Sequence, residues 1–220
     1  MKKILYTLLI IVSLFTITGC FNKNGKEFKK DYEKLNGTTN KVGKENRSVS
    51  IPEDNPFVEV SADEIVKKID NKETFYVYFG STLCPWCRSV IESAIKVAKN
   101  NNIKTIYYVD IWDDEGKEIL RDKYEVVDGK ATRTQEGTDS YYKLLNAFDS
   151  KLRNYTVTKD DKEYDTKEKR IYAPNYFYIK DGKVEKLVTG KSDKLTDSRA
   201  ELTNEIKEDQ EKIFNDFFRN

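Results

Sequence analysis

Phe75-Tyr76-Val77-Tyr78-Phe79 is an unbroken aromatic and β-branched run that Gly80 closes. A half-exposed strand alternates apolar and polar positions, so a run that is apolar throughout predicts a central strand covered on both faces. The next apolar pattern has another period. Val90, Ile91, Ala94, Ile95 and Ala98 recur at spacings of three and four before Asn100-Asn101-Asn102, which predicts a helix with one buried stripe. Thr105 to Ile111 then reads as a second buried strand. Strand, helix, strand in that order implies a parallel βαβ unit with a right-handed crossover, and hence the α/β class. With 220 residues the chain is long enough for one domain plus attachments.

Other elements follow from local signals. Ser61-Ala62-Asp63-Glu64 has the form of a capping box and predicts a helix from Ala62 to Ile69. Helices are also expected from Glu115 to Tyr124 and from Tyr141 to Leu152, the latter with Leu144, Leu145 and Phe148 on one side. The charged stretch over about 126–170 reads as an insertion, and Lys159 to Arg170 within it as a solvated loop. Tyr176 to Ile179 and Val184 to Val188 flank Asp181-Gly182, a hairpin signal because both turn positions take positive φ. Leu202, Ile206, Ile213 and Phe217 mark a closing helix. The folded domain is therefore expected over 57–220.

The N-terminus carries a different signal. Lys2 and Lys3 precede an apolar stretch from Ile4 to Ile17 that ends in Ile17-Thr18-Gly19-Cys20, the layout of a secretory signal over 1–19. The stretch falls short of the roughly 20 residues a membrane-spanning helix needs. Its end is similar to the bacterial lipobox. That resemblance implies cleavage before Cys20, acylation of Cys20, and a lipid-anchored protein on the extracytoplasmic face of the cell membrane. Phe21 to about Pro56 is polar and lysine-rich, and 20–56 is expected to be a flexible tether. The 39 basic and 38 acidic side chains nearly cancel, so no field favours nucleic acid. Removal of Lys2 and Lys3 takes the formal charge from +1 to −1.

Three cysteines are too few for a disulfide framework. Cys84-Pro85-Trp86-Cys87 falls between the buried strand and the amphipathic helix, so both thiols are expected at the start of that helix. Unpaired amides and the positive end of the helix dipole stabilise a thiolate there. The first cysteine should sit at the exposed end and the second one turn inward. Half a zinc site is the competing reading of such a pair, but structural zinc takes four ligands and the chain has no histidine. A structural disulfide closing so small a loop would add little stability. Redox chemistry is the better account, and it calls for no cofactor or metal.

Strand, Cys84-Pro85-Trp86-Cys87, helix, strand, then Ala173-Pro174-Asn175 opening a hairpin resembles the thioredoxin superfamily over roughly Phe57 to Phe218. The resemblance implies a three-layer α/β/α sandwich with a helical insertion before a cis-proline. It implies that Pro174 faces the dithiol and that Ala173 offers backbone hydrogen bonds to an extended substrate, with Pro85 and Trp86 beside it. Tyr78 stands where thioredoxin carries a buried acid that relays a proton to the second thiol, so a water, Glu92 or Asp110 is the expected substitute. The long insertion is similar to those of exported disulfide-handling members and of bacteriocin-associated thiol proteins. The expected activity is disulfide exchange with exported polypeptides, in which Cys84 attacks and Cys87 resolves, with a redox partner protein and open direction. The alternative is a non-catalytic surface lipoprotein that binds a partner through the insertion.

Overall fold

The computed structural model describes residues 23–219. The expected signal segment and Cys20 lie outside them. The chain forms a mixed α/β fold around a five-stranded sheet. Its strands are β1 (Phe57–Glu59), β2 (Phe75–Gly80), β3 (Ile106–Asp110), β8 (Asn175–Lys180) and β9 (Lys183–Val188), ordered β1-β3-β2-β8-β9. β3 runs parallel to β1 and β2, whereas β8 is antiparallel to β2 and to β9. β2 thus lies between two partners and is buried along its whole length, as its unbroken apolar run requires.

Alternation along the strands divides the core in two. Tyr76, Tyr78, Tyr108, Tyr176 and Tyr178 point to one face, where α1 (Lys23–Glu33), α3 (Pro85–Asn100) and α5 (Asn204–Phe218) cover them. Phe75, Val77, Phe79, Val109, Phe177 and Ile179 point to the other, under α2 (Ala62–Asp70) and α4 (Asp139–Phe148). The Ser61 capping box forms as the sequence predicts, with Glu64 reaching back to the Ser61 amide. The Asp181-Gly182 turn joins β8 to β9 with both residues at positive φ.

The expected tether is a correction. Over 23–56 the chain is ordered on the tyrosine face, with α1 burying Phe28 and Tyr32 and the following segment burying Val49 and Ile51. Phe28 stacks on Phe57 at 4.4 Å between ring centres. Burying each such side chain contributes about 1.5–3 kcal/mol, enough for a few apolar residues to hold a polar segment down. Arg88 of α3 completes the attachment. Buried, it donates to the carbonyl oxygens of Tyr32 (2.9 Å), Arg47 (2.7 Å) and Thr82 (3.2 Å) and to Asn36 Oδ1 (2.8 Å). The Tyr32 carbonyl belongs to the last turn of α1, where carbonyls lack helical partners.

Two further expectations fail, one just before the insertion and one within it. No helix forms over Glu115 to Tyr124, because Asp113 accepts the amides of Glu115 and Lys117 and Gly116 turns the chain at φ +75°. β4 (Lys123–Val127) and β5 (Lys130–Gln135) follow as a hairpin. Lys159 to Arg170 is no loop either: β6 (Arg153–Lys159) pairs with β7 (Lys162–Arg170) through Asp160 and Asp161, both at positive φ. The expected helix at Tyr141 is α4, which a 3-10 turn over Asp149–Lys151 follows.

Candidate active site

α3 begins at the dithiol. Cys84 is its N-cap residue, and Pro85 occupies the first turn, where its missing amide costs nothing. Cys84 Sγ accepts the Cys87 amide at 3.3 Å, so the sulfur takes the place of the usual capping oxygen. Both cysteines are free thiols. Cys87 is fully buried, as expected one turn inward. Cys84 is 4% exposed rather than open to solvent, which corrects the expectation of an exposed attacker. Covering it is Ala173, whose carbonyl lies 3.6 Å from Cys84 Sγ. The Ala173–Pro174 peptide bond is cis. The fold thus joins residues 89 positions apart at the head of one helix.

The two thiols are driven in opposite directions. A hydrogen bond from the Cys87 thiol holds Cys84 below the ordinary thiol range against the opposing effect of burial. The Cys87 and Trp86 amides and the positive charge of Arg121 act in the same sense. Burial first, then the hydrogen bond and charge of Cys84, push Cys87 well above that range. Arg121 was not a candidate from sequence. It is held by Glu118, with Nη2 2.6 Å from Oε2, and donates to the Ile171 carbonyl at 3.2 Å.

Tyr78 is no empty substitute for an acid. Its hydroxyl hydrogen-bonds Cys87 and lowers the Cys87 pKa against the burial effect. A Cβ at position 80 would come within 2.1 Å of the Tyr78 phenol, so Gly80 leaves the space in which the ring folds over the strand end. Tyr32 of α1 meets Tyr78 with 2.9 Å between hydroxyls. Tyr176 stacks on Tyr78 at 4.4 Å, and its buried hydroxyl has no partner with hydrogen-bond geometry among the described residues. Burial raises all three phenols well above their ordinary value, so they remain neutral. Glu92 is elsewhere, accepting the Ser50 amide at 2.8 Å. Asp110 accepts Tyr108 Oη at 2.6 Å and the Trp112 amide at 3.0 Å, and its burial raises its pKa.

Pro85 and Trp86 are half-buried beside the thiols. Trp86, Ala173 and Pro174 form one wall of a cleft of about 500 Å³ that also takes in Tyr172, Leu187 and Val188. Lys191 lies over the Trp86 ring, with Nζ 3.6 Å from its centre. The chain matches no protein-family model and no curated protein.

Proposed function

We propose that the chain is a thiol-disulfide oxidoreductase of thioredoxin-like fold that acts on exported polypeptides. One observation carries this reading: two free thiols at one helix start, with the outer one held toward thiolate and the inner one held protonated. That asymmetry suits a two-step exchange. In the reductive direction the Cys84 thiolate attacks one sulfur of a substrate disulfide. The substrate S–S bond breaks, a mixed disulfide forms on Cys84, and the first substrate thiolate leaves. Cys87 then gives its proton to that leaving thiolate and attacks Cys84 Sγ. The second substrate thiolate leaves and a Cys84–Cys87 disulfide remains, so two electrons have passed to the substrate. A dithiol-bearing redox partner returns them; the oxidative direction is the same sequence reversed. Ala173 and Pro174 hold the substrate strand, and the Tyr78 hydroxyl supports the charge that develops on Cys87.

Insulin reduction in the presence of dithiothreitol tests the activity, with loss expected in Cys84→Ser. The lowered Cys84 pKa sets the sign of a companion measurement. Alkylation of Cys84 should rise with pH and reach half its limit below the free-thiol value of about 8.5. A protein that reduces no insulin and whose Cys84 titrates like a free thiol would return the chain to a binding role.

We also place the protein on the outer face of the membrane through lipid on Cys20, on the strength of the Ile17-Thr18-Gly19-Cys20 junction. None of the described helices is long and apolar enough to cross a membrane. Cys20→Ala should move the protein out of the processed membrane fraction. Continued processing and membrane retention in that variant would refute the anchor.

A further inference from the structure

The cleft beside the dithiol is bordered by four cations and no carboxylate. Arg170 is neutralised: its guanidinium is 2.9 Å from Asp122 Oδ1 and 3.7 Å from Glu118 Oε2. The other three, Lys151, Arg153 and Lys191, form no ion pair among the described residues. Their origins differ. Lys191 follows β9 and lies over Trp86, two residues beyond Cys84. Lys151 and Arg153 come from the insertion, at the 3-10 turn and the first residue of β6, and both are exposed. Elsewhere in the chain positive and negative side chains nearly balance, so this rim is a local excess rather than a reflection of net charge. Between the cations the lining includes Trp86, Tyr172, Leu187 and Val188, apolar surface available to the side chains of a bound segment. Unpaired cations around such a surface attract a segment that brings carboxylates of its own.

Resting on the oxidoreductase reading, we infer that the preferred substrate is a polypeptide whose reactive cysteine is flanked by acidic residues, selected by Lys151, Arg153 and Lys191. The insertion then acts as a specificity element that carries two of the three charges to the active site.

Two disulfide-linked peptides test this, identical except that glutamates flank the cysteine in one and lysines in the other. At low ionic strength the reduced protein should reduce the acidic peptide about tenfold faster, equivalent to about 1.4 kcal/mol over three ion pairs. The advantage should vanish at 1 M salt, where the screening length is about 3 Å. Substituting Lys151→Glu and Arg153→Glu, both exposed on the insertion, should abolish the preference while leaving the reduction of neutral hydroxyethyl disulfide unchanged. Equal rates for the two peptides in the unaltered protein would overturn the specificity and leave the redox reading standing. Failure to reduce either peptide or hydroxyethyl disulfide would instead overturn the redox reading on which the inference rests.

Discussion

Cys87→Ser is expected to convert the protein into a covalent trap for its substrates, visible as high-mass species on a non-reducing gel that dithiothreitol removes. Serine is the informative replacement because the Cys87 thiol makes the largest contribution to lowering the Cys84 pKa, by hydrogen-bonding its sulfur. A serine hydroxyl in the same place can still donate. The Cys87 amide, which caps the sulfur at 3.3 Å, is untouched by the change. Attack by Cys84 therefore survives. Resolution does not, because the oxygen cannot displace the substrate from Cys84 as a thiolate would. An intramolecular thiol in contact has a large effective molarity, so its loss should slow release on the order of 10³-fold or more. Cys84→Ser should trap nothing. If Cys87→Ser accumulates no mixed disulfides with exported proteins, the assignment of the two sulfurs to attack and resolution fails.

Removal of one oxygen in Tyr78→Phe should slow resolution about tenfold while leaving the attack by Cys84 unchanged. Phenylalanine keeps the ring that stacks on Tyr176 at 4.4 Å and on Tyr108 at 5.4 Å, so the aromatic core is retained. What disappears is the hydroxyl that lowers the Cys87 pKa, and burial then acts on that thiol with less opposition. The sign is therefore upward for Cys87. A hydrogen bond to a charged group contributes about 1.5–3 kcal/mol, and about 1.4 kcal/mol corresponds to a tenfold smaller thiolate fraction at fixed pH. The substitution also leaves the buried Tyr32 hydroxyl without its 2.9 Å partner, at a stability cost of about 1–3 kcal/mol. Single-turnover kinetics separate the steps: the second-order rate of mixed-disulfide formation reports Cys84 and the first-order decay reports Cys87. Equal decay rates in the two proteins would show that the Tyr78 hydroxyl has no part in resolution.

Signals that lie within one element were legible in the sequence. The apolar run of β2, the three-and-four spacing of α3 and the dithiol between them each depend on neighbours a few residues away, and each forms as read. The Asp181-Gly182 turn was recognised because apolar strands flank it. Asp128-Gly129 joins β4 to β5 with positive φ at both residues, but its flanking strands are mostly exposed and give no buried apolar run to signal a hairpin. The two insertion hairpins pack on each other through Tyr124 and Tyr155 at 5.7 Å, and within the second Arg170 lies over Tyr155 at 4.2 Å, so aromatic and charged side chains stand where a period-two apolar stripe would mark a strand. For the same reason α1 was hidden: Phe28 and Tyr32 are two apolar anchors in a polar segment, and composition averages them away.

By itself the sequence determined the α/β class, the place of the dithiol and the order of its two sulfurs, because helix starts and strand periods are properties of adjacent residues. Only the tertiary structure decided the surroundings of those sulfurs. Tyr32 reaches Tyr78 across 46 positions and the Cys84 thiol reaches Ala173 across 89. Lys191 comes to Trp86, and Arg121 to Cys84, from separate elements. Their effect on the dithiol depends on distance and burial in space. Neither quantity is carried by spacing along the chain, because both are set when the two faces of the sheet are packed.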